Sequence, residues 1–363
     1  MCLALIDRLD HNVKFVFLFT LSYWSASSII SQQVLAGYIY VLTGSNTSVG
    51  IVESLSLIYV SFGLWGAFTA LQSPAMEALF ADSVPLGQRS LPFTMKHILL
   101  NIALVIGPLC AIVLFYHYGD TWDLPALRPH LLAIERELNS IERNFSVEIS
   151  DGRPQPLSFT FSPIQSGPLS EVSQLLRSPG ALTPSCCGFN ATHVPSILFI
   201  SDFIISNGAG MSIHFFPLFF YKEFGLTPIQ VASLFALMPI CVAMCSLVAQ
   251  LVSRWMGRMP VIVGTRFTGT LCLVVMAFST SLSVQCALFL LRGAMMHCTV
   301  PLRRSLLMDF VPKKQRARWN SLEGLSMFSW AGSAFLGGFL VEAHGYRVCF
   351  AVSSLLACCS SRS

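Results

Sequence analysis

The sequence predicts an all-α integral membrane protein, a pseudo-two-fold helix bundle with about eight full spans. Three observations carry this. The 363 residues are 54% hydrophobic and only 11% charged, against about 25% charged in soluble domains. Apolar runs long enough to cross a bilayer recur along the chain. The third is an internal repeat. At an offset of 227, nine residues match without a gap, among them Gly66 with Gly293, Pro74 with Pro301, Asp82 with Asp309 and Arg89 with Arg316. Parallel repeats in a membrane protein imply two similar halves around an axis normal to the bilayer.

A span needs about 20 mainly apolar residues. The first half, 1–120, supplies candidates at 14–42, 49–71 and 97–116, the last bent by Gly107 and Pro108. Residues 121–193 are rich in Pro, Ser and Gly and read as a polar central loop. Within it, Leu131, Ile134, Leu138, Ile141 and Phe145 give 124–145 the spacing of an amphipathic helix. The second half, 194–363, supplies spans at 195–221, 230–253, 260–279, 284–302 and 322–341, then a short apolar run at 348–359.

Charge sets the expected orientation, because Lys and Arg favour cytoplasmic loops. Arg254 with Arg258, Arg303 to Arg318, and Arg89 with Lys96 mark three such loops, and Arg8 and Lys14 precede the first span. No cleavable signal pattern precedes that run, which is expected to act as an uncleaved anchor. The net charge of +4 is modest and does not point to nucleic acid. The 12 cysteines lie mostly in apolar runs as small hydrophobes. No Cys/His spacing implies a metal site and no motif implies a cofactor. The sequons at Asn46, Asn144 and Asn190 fall either close to the membrane or in the central loop.

These residues resemble the major facilitator superfamily. The segment LVSRWMGR, carrying Arg254, Gly257 and Arg258, looks like the loop signature between the superfamily's helices eight and nine, with Ser253 standing where that signature has Asp. Asp82 to Arg89 and Asp309 to Arg316 resemble its paired loops after helices four and ten, and Phe215 to Pro228 its turn from helix seven to eight. The resemblance implies two six-helix halves and secondary transport of a small solute by alternating access, with a proton or another ion as a possible co-substrate. The turn at Thr47 matches that at Thr227 at an offset of 180, so the first half is 47 residues shorter than the second between turn and basic loop. On that count it lacks an equivalent of helix three; the polar sequence straight after Gly119 leaves none for helix six, and the last helix is truncated. The rival reading is a non-transporting degenerate or spliced relative that assembles with a full-length homologue.

Arg292, about ten residues into an apolar span, is the sharpest candidate. It would bind an anionic group, couple to a proton carrier, or serve as a structural charge. Asp202 is either a proton acceptor, an ion-pair partner of Arg292, or a packing group. Asn207 lies in a polar, glycine-bearing stretch beside it, and His297, five residues after Arg292, is off its face. Gln32, Gln33 and Ser28 are expected to contact a polar solute. Asp82, Arg89, Arg254, Gly257, Arg258, Asp309 and Arg316 are candidates for a gate at the basic loops, through the resemblance. Scattered histidines speak against a membrane oxygenase.

Overall fold

The computed structural model describes residues 11–29, 33–55, 76–77, 79–84, 90–123, 127, 194–311 and 316–362. These residues are helical throughout, joined by short turns. In the first half they form α1 (His11–Ile29), α2 (Gln33–Thr43), α3 (Asn46–Leu55), α4 (Ser90–Leu104) and α5 (Ile106–Tyr118). In the second half they form α6 (Val194–Ile213), α7 (Phe216–Phe224), α8 (Pro228–Met256), α9 (Arg258–Phe278) and α10 (Leu282–His297). The chain continues with α11 (Val300–Phe310), α12 (Arg316–His344) and α13 (Tyr346–Arg362). The expected junction lacking a third helix, and the amphipathic helix at 124–145 apart from the buried Leu127, lie outside the described residues.

Among the described residues, five segments are long and apolar enough to cross a bilayer: Ser90–Tyr118, Phe199–Phe224, Pro228–Met256, Arg258–Phe278 and Leu282–Asp309. Three of them are broken helices, and proline dictates each break. Proline lacks the N–H that would bond the carbonyl four residues back. For Pro108, Pro217 and Pro301 those carbonyls belong to Leu104, Ile213 and His297, the last residues of α4, α6 and α10. Each helix stops where its ladder loses a donor, and the next starts within three residues. At the α4–α5 break the Ser28 hydroxyl repairs the gap. It donates to the Ala103 carbonyl at 3.1 Å and accepts from the Gly107 N–H at 2.9 Å. The serine expected at a solute path is therefore committed to holding a kink.

Lipid exposure can be read from α8. Leu237, Ile240, Met244, Leu247, Leu251 and Trp255 recur at helical spacing and stand exposed. The opposite face buries Val231, Phe235, Pro239, Val242, Ser246, Gln250 and Ser253. Val263, Phe267, Leu271 and Val275 repeat the exposed stripe on α9. In water such continuous apolar faces would be a liability; in a bilayer they are the solvated surface. The helix begins at a capping box, where Thr227 accepts from the Gln230 N–H and Gln230 returns the bond. The expected turn is closed by Gly225 at φ 67°.

The halves touch along two seams. On one, α4 and α5 run against α8; on the other, α3 packs on α12, which also lies along α6. Glycines allow the second seam: a Cβ on Gly50 would meet the Ala334 carbonyl at 2.6 Å, and one on Gly338 the Asn46 carbonyl at 2.9 Å. The interior of the second half is aromatic. Phe216 stacks on Phe350 at 4.8 Å and meets Phe289 at 5.0 Å, with Phe219, Phe220 and Phe235 around them.

Candidate functional site

The ionic groups fall into layers along the helices. At the basic end, Glu77 is buried and accepts from Lys96 and from Arg304, each at 2.6 Å. Glu77 and Arg304 stand 227 residues apart, the repeat offset itself. Equivalent positions of two halves meet only at their shared axis, so this pair marks it. Beside it, Gln250 on α8 joins Ser90 and Thr94 on α4, the latter at 3.2 Å. The His97 ring lies against the main chain of His297, whose carbonyl Pro301 leaves without its helical donor.

A second ionic group lies within the second half. Asp202 on α6 is bonded by both Arg266 of α9 and Arg303 of α11. The expected pairing of Asp202 with Arg292 is therefore corrected. Arg292 lies eleven residues before Arg303 on the same broken helix, roughly 16 Å along its axis, and Asp202 is level with the later arginine. Asp309 pairs with Arg258 at 2.8 Å, which joins the α8–α9 turn to the end of α11. Gly257 supplies that turn with φ 87°. The structure thus brings together Arg258 and Asp309 of the expected gate residues. Arg254 is exposed, and Asp82 is exposed at the end of its short helical stretch. Arg89 and Gln32 lie outside the described residues. Gln33 opens α2 and Arg316 opens α12, but their side chains also lie outside the description.

Nearer mid-depth, Asn207 is fully engaged. It donates to the Phe203 carbonyl at 2.9 Å and accepts from Ser329 of α12 at 2.7 Å. Arg292 stands apart from all of these. It is 5% exposed, on the face of α10 that carries Gln285 and Phe289. The ring of Phe216 lies 5.2 Å from its guanidinium carbon. Its Nε has no hydrogen-bond partner, and among the described residues no carboxylate pairs with it. His297 is on another face, as the five-residue spacing predicts.

At the far end each half caps a helix of the other. Asp120, after α5, accepts from the Ile229 N–H in the first turn of α8 at 2.9 Å. Glu342, near the end of α12, accepts from the Asn46 N–H of α3 at 2.7 Å and the Thr47 N–H at 3.3 Å. A helix N-terminus favours a carboxylate through its free N–H groups and its dipole. Trp122 completes this end by donating to the Leu226 carbonyl at 3.0 Å while its ring covers Gly37.

Arg266 and Glu77 were missed in the sequence, and Lys96 and Arg304 were read only as charges that orient the loops. Arg266 had the same signal as Arg292, a lone arginine in an apolar run. Glu77 could have been found by carrying the repeat to Arg304.

Residues 198–361 match the family model described as Major Facilitator Superfamily. The match covers most of the second half of this chain. A Na(+), Li(+), K(+)/H(+) antiporter of Planococcus maritimus is 38% identical over 90 residues, which is 25% of this chain and 21% of that relative. The match thus spans about a fifth of the relative's length. Three solved structures share the fold across nearly the whole chain. The human organic anion transporter MFSD10 (TETRAN) aligns with a TM-score of 0.55 at 15% identity, over 99% of this chain and 86% of its own. A bacterial homologue of the iron transporter ferroportin aligns in its inward-facing state with 0.53 at 15%, over 98% and 83%. The same protein in its outward-facing state with soaked iron gives 0.52 at 14%, over 97% and 87%. At these identities the likeness is one of fold. The neighbours bear out the all-helical major facilitator architecture.

Proposed function

We propose that this chain moves a small solute across a membrane by alternating access, as a secondary active or facilitative transporter. The observation that carries the proposal is the Glu77–Arg304 contact. Two repeat-equivalent residues meet at one end of the axis between halves, while the halves exchange carboxylate caps at the other. Each closure sets discrete polar contacts on an apolar seam between the halves, Phe80 and Met308 sharing one cluster and Val49 and Tyr346 another. A rocking motion needs contacts of that kind at its two ends, made in alternation. Broken helices at mid-depth fit the same reading, since interrupted helices commonly line transport sites. The antiporter relative favours coupling to a cation or proton, with His97, whose ring lies against the main chain of His297 between the halves, as a candidate titratable group.

The test is direct. The full chain, purified and reconstituted in liposomes, is given a pH gradient, and uptake of radiolabelled sodium and of benzoate is followed. Uptake above protein-free liposomes for at least one of them supports the proposal. No movement of either, from protein that is folded and inserted, counts against it and favours a non-transporting role.

A further inference from the structure

We infer that the solute is a small organic anion, best an aryl carboxylate, and that Arg292 is the residue that holds it. The inference rests on the transport reading above and names its substrate class.

Consider how carboxylates neutralise other cations among the described residues, the exposed Lys222 lying instead over the Tyr40 ring. Glu77 holds Lys96 and Arg304, Asp202 holds Arg266 and Arg303, and Asp309 holds Arg258. Even at the surface, Arg347 faces Glu223 at 3.7 Å. Arg292 is more buried than any of these, yet it is paired with an aromatic ring. A guanidinium does not escape by losing its proton. An arginine at the helix centre costs about 2.5–3.5 kcal/mol on insertion scales, and a cation–π contact returns about 0.5–2 kcal/mol. A buried charge left in deficit, with an unmet Nε–H donor, is a site that an arriving carboxylate would complete by charge and by hydrogen bond.

Two further features fix the class. Phe216 and Phe289, with Phe220 beside them, pack together between α10 and α7, and Phe216 lies against the guanidinium, so the neighbour of the charge is aromatic. Among the described residues of the two ionic groups toward the basic end, two carboxylates, Glu77 and Asp202, hold four cations, Lys96, Arg266, Arg303 and Arg304. That surplus of positive charge lowers the barrier for an anion and raises it for a cation.

Three probes of one size decide the matter: benzoate, benzyl alcohol and benzylamine, offered to the full chain in liposomes. Benzoate is expected to enter faster than into protein-free liposomes, and the other two, which cross lipid unaided, are expected to show no protein-dependent increment. Arg292→Gln is expected to lower benzoate uptake by about tenfold or more. Arg292→Lys, which keeps the charge, should retain the maximal rate with a raised KM. Benzoate should also raise the unfolding temperature of the wild-type protein in detergent and leave that of Arg292→Gln unmoved. Preference for benzylamine or benzyl alcohol, equal benzoate uptake by wild type and Arg292→Gln, or no uptake and no thermal shift with benzoate would each overturn the assignment. Sodium uptake that persists in any of those cases would leave the transport reading standing.

Discussion

Asp202 and Arg292 are both charges carried into the same bundle, and their surroundings are opposite. Asp202 is clasped by two arginines from two neighbouring helices. Arg292, deeper and drier, faces a phenyl ring. A charge that serves the fold brings its counter-charge along, because an uncompensated buried ion is destabilising. A charge kept without one costs stability, which on the proposal above is the cost of holding an anion. The difference teaches how to sort ionisable residues inside a membrane bundle by their company.

The sharpest way to break this contrast is a pair of substitutions with opposite signs. Arg292→Met removes an uncompensated charge. It should raise the unfolding midpoint, by about 1–4 kcal/mol in stability, while abolishing benzoate uptake. Asp202→Asn strands Arg266 and Arg303 and should lower stability by about 2 kcal/mol, reduced from the fully buried case because the group is partly exposed. Thermal unfolding in detergent reads both. Equal destabilisation by the two changes would erase the distinction between them.

A comparable loss is expected at the glycine seam. Gly338→Ala sets a methyl against the main chain of Asn46 and should cost about 1–3 kcal/mol through overpacking. It should also hold α3 and α12 apart, which maleimide labelling of a cysteine placed at Thr47 would report as faster modification. The smallest effect belongs to the far-end caps. Glu342→Gln keeps an acceptor for the Asn46 N–H but removes the charge, worth about 0.3–1 kcal/mol at a helix terminus. The same labelling rate should rise only slightly.

Much of the architecture was legible in advance. The apolar runs located the five described spans, most ends to within four residues, with Ser90–Tyr118 starting and Leu282–Asp309 ending seven residues beyond the expected bounds. The bend at Gly107 and Pro108 was foreseen. The breaks before Pro217 and Pro301 were not, although the same missing N–H produces all three. The site was less legible, because pairing depends on depth and rotation. Asp202 and Arg292 look like natural partners in a linear sequence, yet a helix advances roughly 1.5 Å per residue, and Arg303 is the one that comes level. Ser28 looked available to a solute until the unwound turn beside it appeared. Arg258 and Asp309 were both singled out, but a turn set by Gly257 was needed to bring them together.

The measurement that bears most directly on alternating access is a distance between the halves at the basic end. Spin labels at Leu79→Cys and Trp255→Cys, both exposed positions, in a background with the other cysteines replaced, report it by double electron–electron resonance. Rocking that opens and closes the Glu77–Arg304 contact predicts two populated distances, with the longer one gaining when Glu77→Gln releases Lys96 and Arg304. A single distance, unchanged by that substitution and by benzoate, would contradict it.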